Sequence, residues 1–153
     1  MVYFELRKSK DSYPFDFIIS SEMLEHVVNW QTALHNIISN TKKFALITIP
    51  SGKLYDIDKK VGHLRHYNRK MITSCLGQRT DCTHKIFFWG FPFQQLYKFF
   101  INVNSDKIYR AFAQKKYSWR ERTVSNLISM LFYMNLKTEF ETNQLFVLIT
   151  KVR

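Results

Sequence analysis

Cysteine, glycine and acidic residues are all scarce in this chain, and each scarcity excludes something. Its two cysteines, Cys75 and Cys82, among 153 residues have neither the CxxC spacing of a zinc knuckle nor the numbers for a disulfide framework, so reduced thiols and a cytoplasmic setting are expected. Four glycines and three prolines form no linker, low-complexity tract or internal repeat. Met1 to Lys8 lacks the apolar core of a signal peptide, and no apolar run approaches the ~20 residues that span a bilayer. Asp and Glu total 12 against 23 Lys and Arg, a net charge of +11. That excess suits a polyanionic or membrane-surface partner. No Lys/Arg block repeats and no nucleic-acid-binding motif accompanies it, however, so an RNA-binding module would rest on charge and aromatic content alone, and a basic solvated surface is the simpler reading.

What is present is apolar patterning. Hydrophobic residues make up 46% of the chain, enough for one core, so residues 1–153 are expected to form a single α/β domain. Phe15–Ser20, Phe44–Ile49 and Leu145–Val152 are short, β-branched or aromatic runs bounded by turn formers, and they read as buried strands. His84–Trp89 is a fourth, stopped by Gly90 and Pro92. Met23–Ser39 has helical spacing and would cross over between the first two strands as a βαβ unit. A polar, basic loop follows to about Tyr67, and then a helix over Arg69–Leu76 that Gly77 ends. Residues 92–135 turn helical and aromatic, with Ile108, Tyr109 and Phe112 among the apolar positions. They form an excursion before the last strand that suits a substrate lid or a structural helical layer.

Four motifs in order carry a resemblance. Phe15-Asp16-Phe17-Ile18-Ile19-Ser20-Ser21-Glu22-Met23-Leu24-Glu25-His26-Val27 resembles the fourth strand and the Glu-x-x-Glu-His turn of class I S-adenosylmethionine-dependent methyltransferases. Phe44 to Pro50 is similar to their fifth strand, Val61-Gly62-His63-Leu64-Arg65-His66-Tyr67 to the loop beyond it, and Gln144 to Lys151 to their antiparallel seventh strand. The resemblance implies a partial Rossmann-like sheet of strands four to seven, with the last strand antiparallel and a helical insertion before it. It also implies S-adenosylmethionine as cofactor, held at Ser20, Ser21 and Glu22, and O-methylation of a small-molecule or glycan/lipid-linked acceptor.

The sequence departs from the family at the cofactor cradle. Gly52, Gly62, Gly77 and Gly90 never form the GxG turn that lets backbone approach the cofactor. Only a remnant of a third strand is expected, around Val2–Leu6. The expectation is therefore an N-terminally truncated domain whose strand 15–20 is an uncovered edge, open to a homodimer or a complementing chain. A non-catalytic methyltransferase fragment or partner subunit is the rival reading.

His26, His63 and His66 are the imidazoles near the expected cleft and so the candidate catalytic bases. Glu22, Glu25 and His26, at i, i+3 and i+4, would share one face of a helix and offer two oxygens and a nitrogen to a divalent metal. His63 and His66 are further ligands for a softer ion. Arg65, in the acid-free stretch 59–70, and Tyr67 are candidate contacts to an anionic acceptor. Trp89 lies in the aromatic stretch 88–93, at the edge of the sheet where open α/β folds bind ligands, and would wall the acceptor pocket.

Overall fold

A computed structural model of the chain describes residues 15–77, 79–103 and 118–152. The expected strand remnant at Val2–Leu6 and the positions Ile108, Tyr109 and Phe112 lie outside the described residues. The sheet has five strands in the order β1-β2-β5-β3-β4: β1 Phe15–Ser21, β2 Thr41–Pro50, β3 Cys82–Phe91, β4 Leu136–Thr138 and β5 Gln144–Lys151. β1 and β2 are parallel, and β5 runs antiparallel between β2 and β3. This is the mixed α/β arrangement the sequence implied, with the last long strand reversed between its neighbours.

Alternation along the strands fixes which way the sheet faces. Ala45, Ile47 and Ile49 of β2, Leu145, Val147 and Ile149 of β5, and Ile86 and Phe88 of β3 are buried. The register aligns them in rows, such as Ile47–Val147–Ile86 and Ile49–Leu145–Phe88. Leu34, Ile37 and Ile38 of α1 (Trp30–Ser39) and Ile72 and Leu76 of α3 (Arg69–Leu76) join the same core. Each such side chain is worth roughly 1.5–3 kcal/mol when fully buried. α3 has the predicted bounds, and the Asn68 side chain caps it by accepting from the Met71 N–H at 2.8 Å.

Four expectations need correction. The helix over Met23–Ser39 is broken: a 3-10 turn covers Leu24–His26, Val27 is extended at φ −97° and ψ 127°, and α1 starts only at Trp30. The carbonyls that would continue the helix are taken by a distant loop, whose Tyr67 hydroxyl donates to Leu24 O, Leu64 N–H to Glu25 O and Arg65 Nη1 to Val27 O. Second, the loop before Tyr67 contains a short helix, α2 (Asp56–Lys60), at whose start Asp58 Oδ2 accepts from the Tyr55 N–H at 2.9 Å. Third, β2 reaches back to Thr41, which pairs with Phe15 of β1, and β3 is longer at both ends, Cys82 and Thr83 pairing with β5 and Phe91 with β4. Fourth, β4 follows the excursion directly and pairs with β3.

The excursion provides α4 (Phe93–Val103) and α5 (Trp119–Tyr133). They meet at Tyr97 and Phe132, whose rings pack edge to face at 5.3 Å. Asn135 Oδ1, just past α5, accepts from Phe93 N–H at 2.9 Å and Gln94 N–H at 3.3 Å, capping the start of α4 from 42 residues away. No described helix is long and apolar enough to cross a membrane, and both cysteines are free.

Candidate functional site

The site forms where β1 and β2 end and the loop from α2 to Tyr67 returns over them. Glu22 leaves β1 with φ +48°, a left-handed conformation that costs a non-glycine residue about 1 kcal/mol or more. Its N–H donates to Thr48 O at 3.0 Å, and Oε1 accepts from the Thr48 hydroxyl at 3.3 Å and from Gln144 Nε2. Ser21 Oγ lies 2.9 Å from Thr48 Oγ1, and Ser20 Oγ is buried without a hydrogen-bond partner.

The turn that follows sends Glu25 inward. Its side chain is fully buried and neither carboxylate oxygen has a hydrogen-bond partner. Burial, and then the charge of Glu22, push its pKa up to about 7, outweighing its own backbone N–H dipole, His26 and Lys98, which favour the charged form. His26 points outward and is 42% exposed. Its Nδ1 is 3.1 Å from Gly62 O, so Nδ1 carries the proton and Nε2 of the neutral ring presents a lone pair. Gly62 has φ +94°, and a Cβ there would stand 3.5 Å from His26 Nδ1. Glycine thus lets the loop turn while keeping its carbonyl on the imidazole.

Behind His26 lies a second layer. The His26 and His63 rings meet edge to face at 4.9 Å. His63 Nδ1 is 3.3 Å from His66 Nε2, and that same His66 nitrogen is 3.4 Å from Asp58 Oδ2. Lys98 Nζ, from α4, is 3.6 Å from the other Asp58 oxygen. Burial lowers the His63 pKa to about 4 against the opposing Asp58 charge, with His26, His66 and Lys98 adding to the depression. His66 is lowered too, by burial and then Lys98. Both rings are neutral near pH 7.

The three predicted histidines are therefore brought together, with Glu25, while other predicted site residues go elsewhere. Glu22 does not share a helical face with Glu25 and His26, because it precedes the 3-10 turn. Among the described residues, the ligand atoms that cluster within 4.8 Å of one another are those of Glu25, His26 and His63, and of Asp58, His63 and His66. Tyr67 is 1% exposed and packs edge to face on Trp30 at 5.1 Å. It is a core residue that no acceptor reaches. Arg65 spends its guanidinium on Val27 O, pinning the loop to the turn. Trp89 is half-buried on β3, paired in register with Gln144, and two strands separate it from β1.

Asp58 and Lys98 had no place in the sequence reading. The acid-free stretch begins one residue past Asp58, so the carboxylate that matters sat just outside it. Lys98 is a single cation within an aromatic helix. A shallow depression between α1 and α3, lined by Trp30, Gln31, Asn68, Lys70, Met71, Ser74 and Cys75, contains none of the clustered groups.

No protein-family model and no curated protein sequence matches the chain. It is similar to two solved structures of Haemonchus contortus phosphoethanolamine N-methyltransferase 2. One is a complex with S-adenosyl-L-methionine, at 17% identity, and the other a complex with phosphomonomethylethanolamine and S-adenosylhomocysteine, at 18%. Each match covers 91% of this chain and 34% of the solved one, with a TM-score of 0.47. The chain thus spans about a third of the length of those proteins.

Proposed function

We propose that this chain forms the acceptor-side wall of an S-adenosylmethionine-dependent methyltransferase acting on a hydroxyl of a small-molecule or glycan/lipid-linked acceptor. The main support is the stitching of two separate sequence motifs into one site. The Leu64 N–H, the Arg65 guanidinium, the Tyr67 hydroxyl and the Gly62 carbonyl all bond to the Leu24–Val27 turn or to His26 on it. Their effect is to hold a half-exposed imidazole at the carboxyl ends of parallel strands, the edge at which open α/β sheets bind ligands.

His26 is the general base in this reading. Its tautomer is set by Gly62, and its Nε2 lone pair can take the proton of an acceptor hydroxyl in hydrogen-bond reach. His63 packs edge to face on the ring, and Glu25 Oε1 lies 3.8 Å from the same Nε2. The residues at the end of β1 fit one side of the cofactor: Ser20 Oγ is a buried hydroxyl in need of a partner, and both side-chain bonds of Glu22 fall on Oε1, leaving Oε2 free to accept. S-adenosylmethionine, when bound, supplies an electrophilic methyl group.

Equilibrium binding of S-adenosylmethionine to the chain tests the reading. Micromolar affinity, lost in Glu22→Ala, supports an enzyme. No binding at any concentration favours the second reading, a non-catalytic subunit that completes another methyltransferase chain. A separate observation speaks for that alternative: β1 is a sheet edge among the described residues and carries exposed Phe15, Phe17 and Ile19. Such a strand would pair with a complementing chain or a second copy.

A further inference from the structure

We infer that His63 Nδ1, His66 Nε2 and Asp58 Oδ2 form a binding site for a zinc-type divalent ion, distinct from the Glu22–Glu25–His26 set expected from the sequence. This goes beyond the methyltransferase reading and does not depend on it.

Convergence is the first argument. His66 Nε2 faces two partners at once, His63 Nδ1 at 3.3 Å and Asp58 Oδ2 at 3.4 Å. A neutral imidazole nitrogen carries one proton or one lone pair, so one linear hydrogen bond is all it can complete. The arrangement is also no proton relay, because both contacts use the same nitrogen and nothing passes through the ring. A cation at the common focus satisfies all three atoms.

The edge lengths give the second argument. Ligand atoms about 2.0–2.2 Å from a tetrahedral zinc ion stand roughly 3.3–3.5 Å apart. The His63–His66 and His66–Asp58 edges, 3.3 and 3.4 Å, fall in that range, whereas the nearest Glu25–His26 approach in the other cluster is 3.8 Å. Two imidazoles and a carboxylate select zinc, cobalt or a similar ion over magnesium, which wants oxygens.

Burial and surroundings give the third. The side chains of His66 and Asp58 are 2% and 7% exposed, so both are held in place before any ion arrives. The outer partners of a ligand shell are partly present: the Tyr55 N–H donates to Asp58 Oδ2 at 2.9 Å, and Lys98 sits on Oδ1, the oxygen turned from the histidines. Three protein ligands leave one position of a tetrahedral ion open.

Titration of the whole chain, stripped with chelator, with Co²⁺ tests the assignment. Tetrahedral nitrogen and oxygen coordination gives intense visible d–d absorption, which an octahedral hexaaqua ion lacks. We expect saturable bands at one ion per chain, displaced by Zn²⁺. Asp58→Asn, which keeps an acceptor for the Tyr55 N–H, and His66→Ala should each weaken binding at least about 100-fold, while Glu25→Gln leaves the spectrum unchanged. Retention of fold in each variant is checked by far-ultraviolet circular dichroism, and Glu25→Gln keeps the test decisive should the ligand variants unfold. Loss of the bands in Glu25→Gln with retention in Asp58→Asn would move the ion to Glu25, His26 and His63 and overturn the proposal, as would absence of tetrahedral bands in the unaltered chain.

Discussion

The two faces of the sheet are built from the same kinds of residue and have opposite fates. On one face Ala45, Ile47, Ile49, Leu145, Val147, Ile149, Ile86 and Phe88 are closed under α1 and α3. On the other, the register places Phe17 beside Phe44 and Ile19 beside Leu46, and three of these stay open: Phe17 is 49%, Ile19 62% and Phe44 44% exposed. Toward β3 the open face is partly furnished, since Phe87 and Phe146 stack at 5.1 Å and Lys137 lies 4.7 Å from the Phe87 ring centroid. Apolar content alone therefore does not bury a side chain; a covering element does. The candidate site sits at the strand ends, beyond both faces, and owes its shape to polar bonds from one loop.

The largest expected difference between the faces is in stability. Phe88→Ala, on the closed face, should cost about 3–5 kcal/mol by denaturant unfolding because it leaves a cavity among fixed neighbours. Phe17→Ala, on the open face, should move the midpoint little; similar costs at both positions would show that the second face is covered in solution.

Next comes the buried charge at the site. Glu25 has a folded pKa of about 7 against an ordinary 4.5. The folded state therefore holds the proton more tightly, and stability falls as pH rises from 4.5 through 7. In metal-free protein, Glu25→Gln should be the more stable form above pH 8 by about 3 kcal/mol, with the advantage gone below pH 4.5. A pH-independent difference between the two would contradict the isolation of this carboxyl.

A smaller effect is expected at Tyr67. Removing its hydroxyl in Tyr67→Phe strips Leu24 O of a buried bond at 2.8 Å and should cost about 1–2 kcal/mol. The same change should loosen the turn that holds His26, read as line broadening of the His26 ring signals.

The smallest change in stability accompanies the clearest change in association. The double variant Phe17→Ser/Ile19→Ser should shift monomer stability by less than about 0.5 kcal/mol, yet convert an associating chain to a monomer in sedimentation. A monomeric parent chain would remove the case for a partner on β1.

Much of the closed face was legible in the sequence because alternation and helical spacing are local signals: β1, the core of β2, α3 and β5 were all predicted within a few residues. What was not legible depended on partners far away in the chain. The break at Val27 is made by Arg65 and Leu64, the cap of α4 by Asn135, and the burial of Tyr67 by Trp30; none leaves a local pattern. At the site, the histidines were found because their chemistry is rare in the sequence. Asp58 and Lys98 were missed because each is a common residue made special only by where the fold sets it. Reading the run 15–20 as a buried strand failed for a related reason, since apolar content says nothing about what lies against a face.

The central claim is that the strand end at Ser20–Glu22 and Thr48 is a cofactor wall served by His26. Titrating isotope-labelled chain with S-adenosylhomocysteine and following backbone amide shifts tests it most directly. The account predicts saturable shifts at Ser20, Ser21, Glu22 and Thr48 and in the His26 ring, with α1 and α3 unmoved. Shifts confined to other surfaces, or none at millimolar ligand, would contradict it.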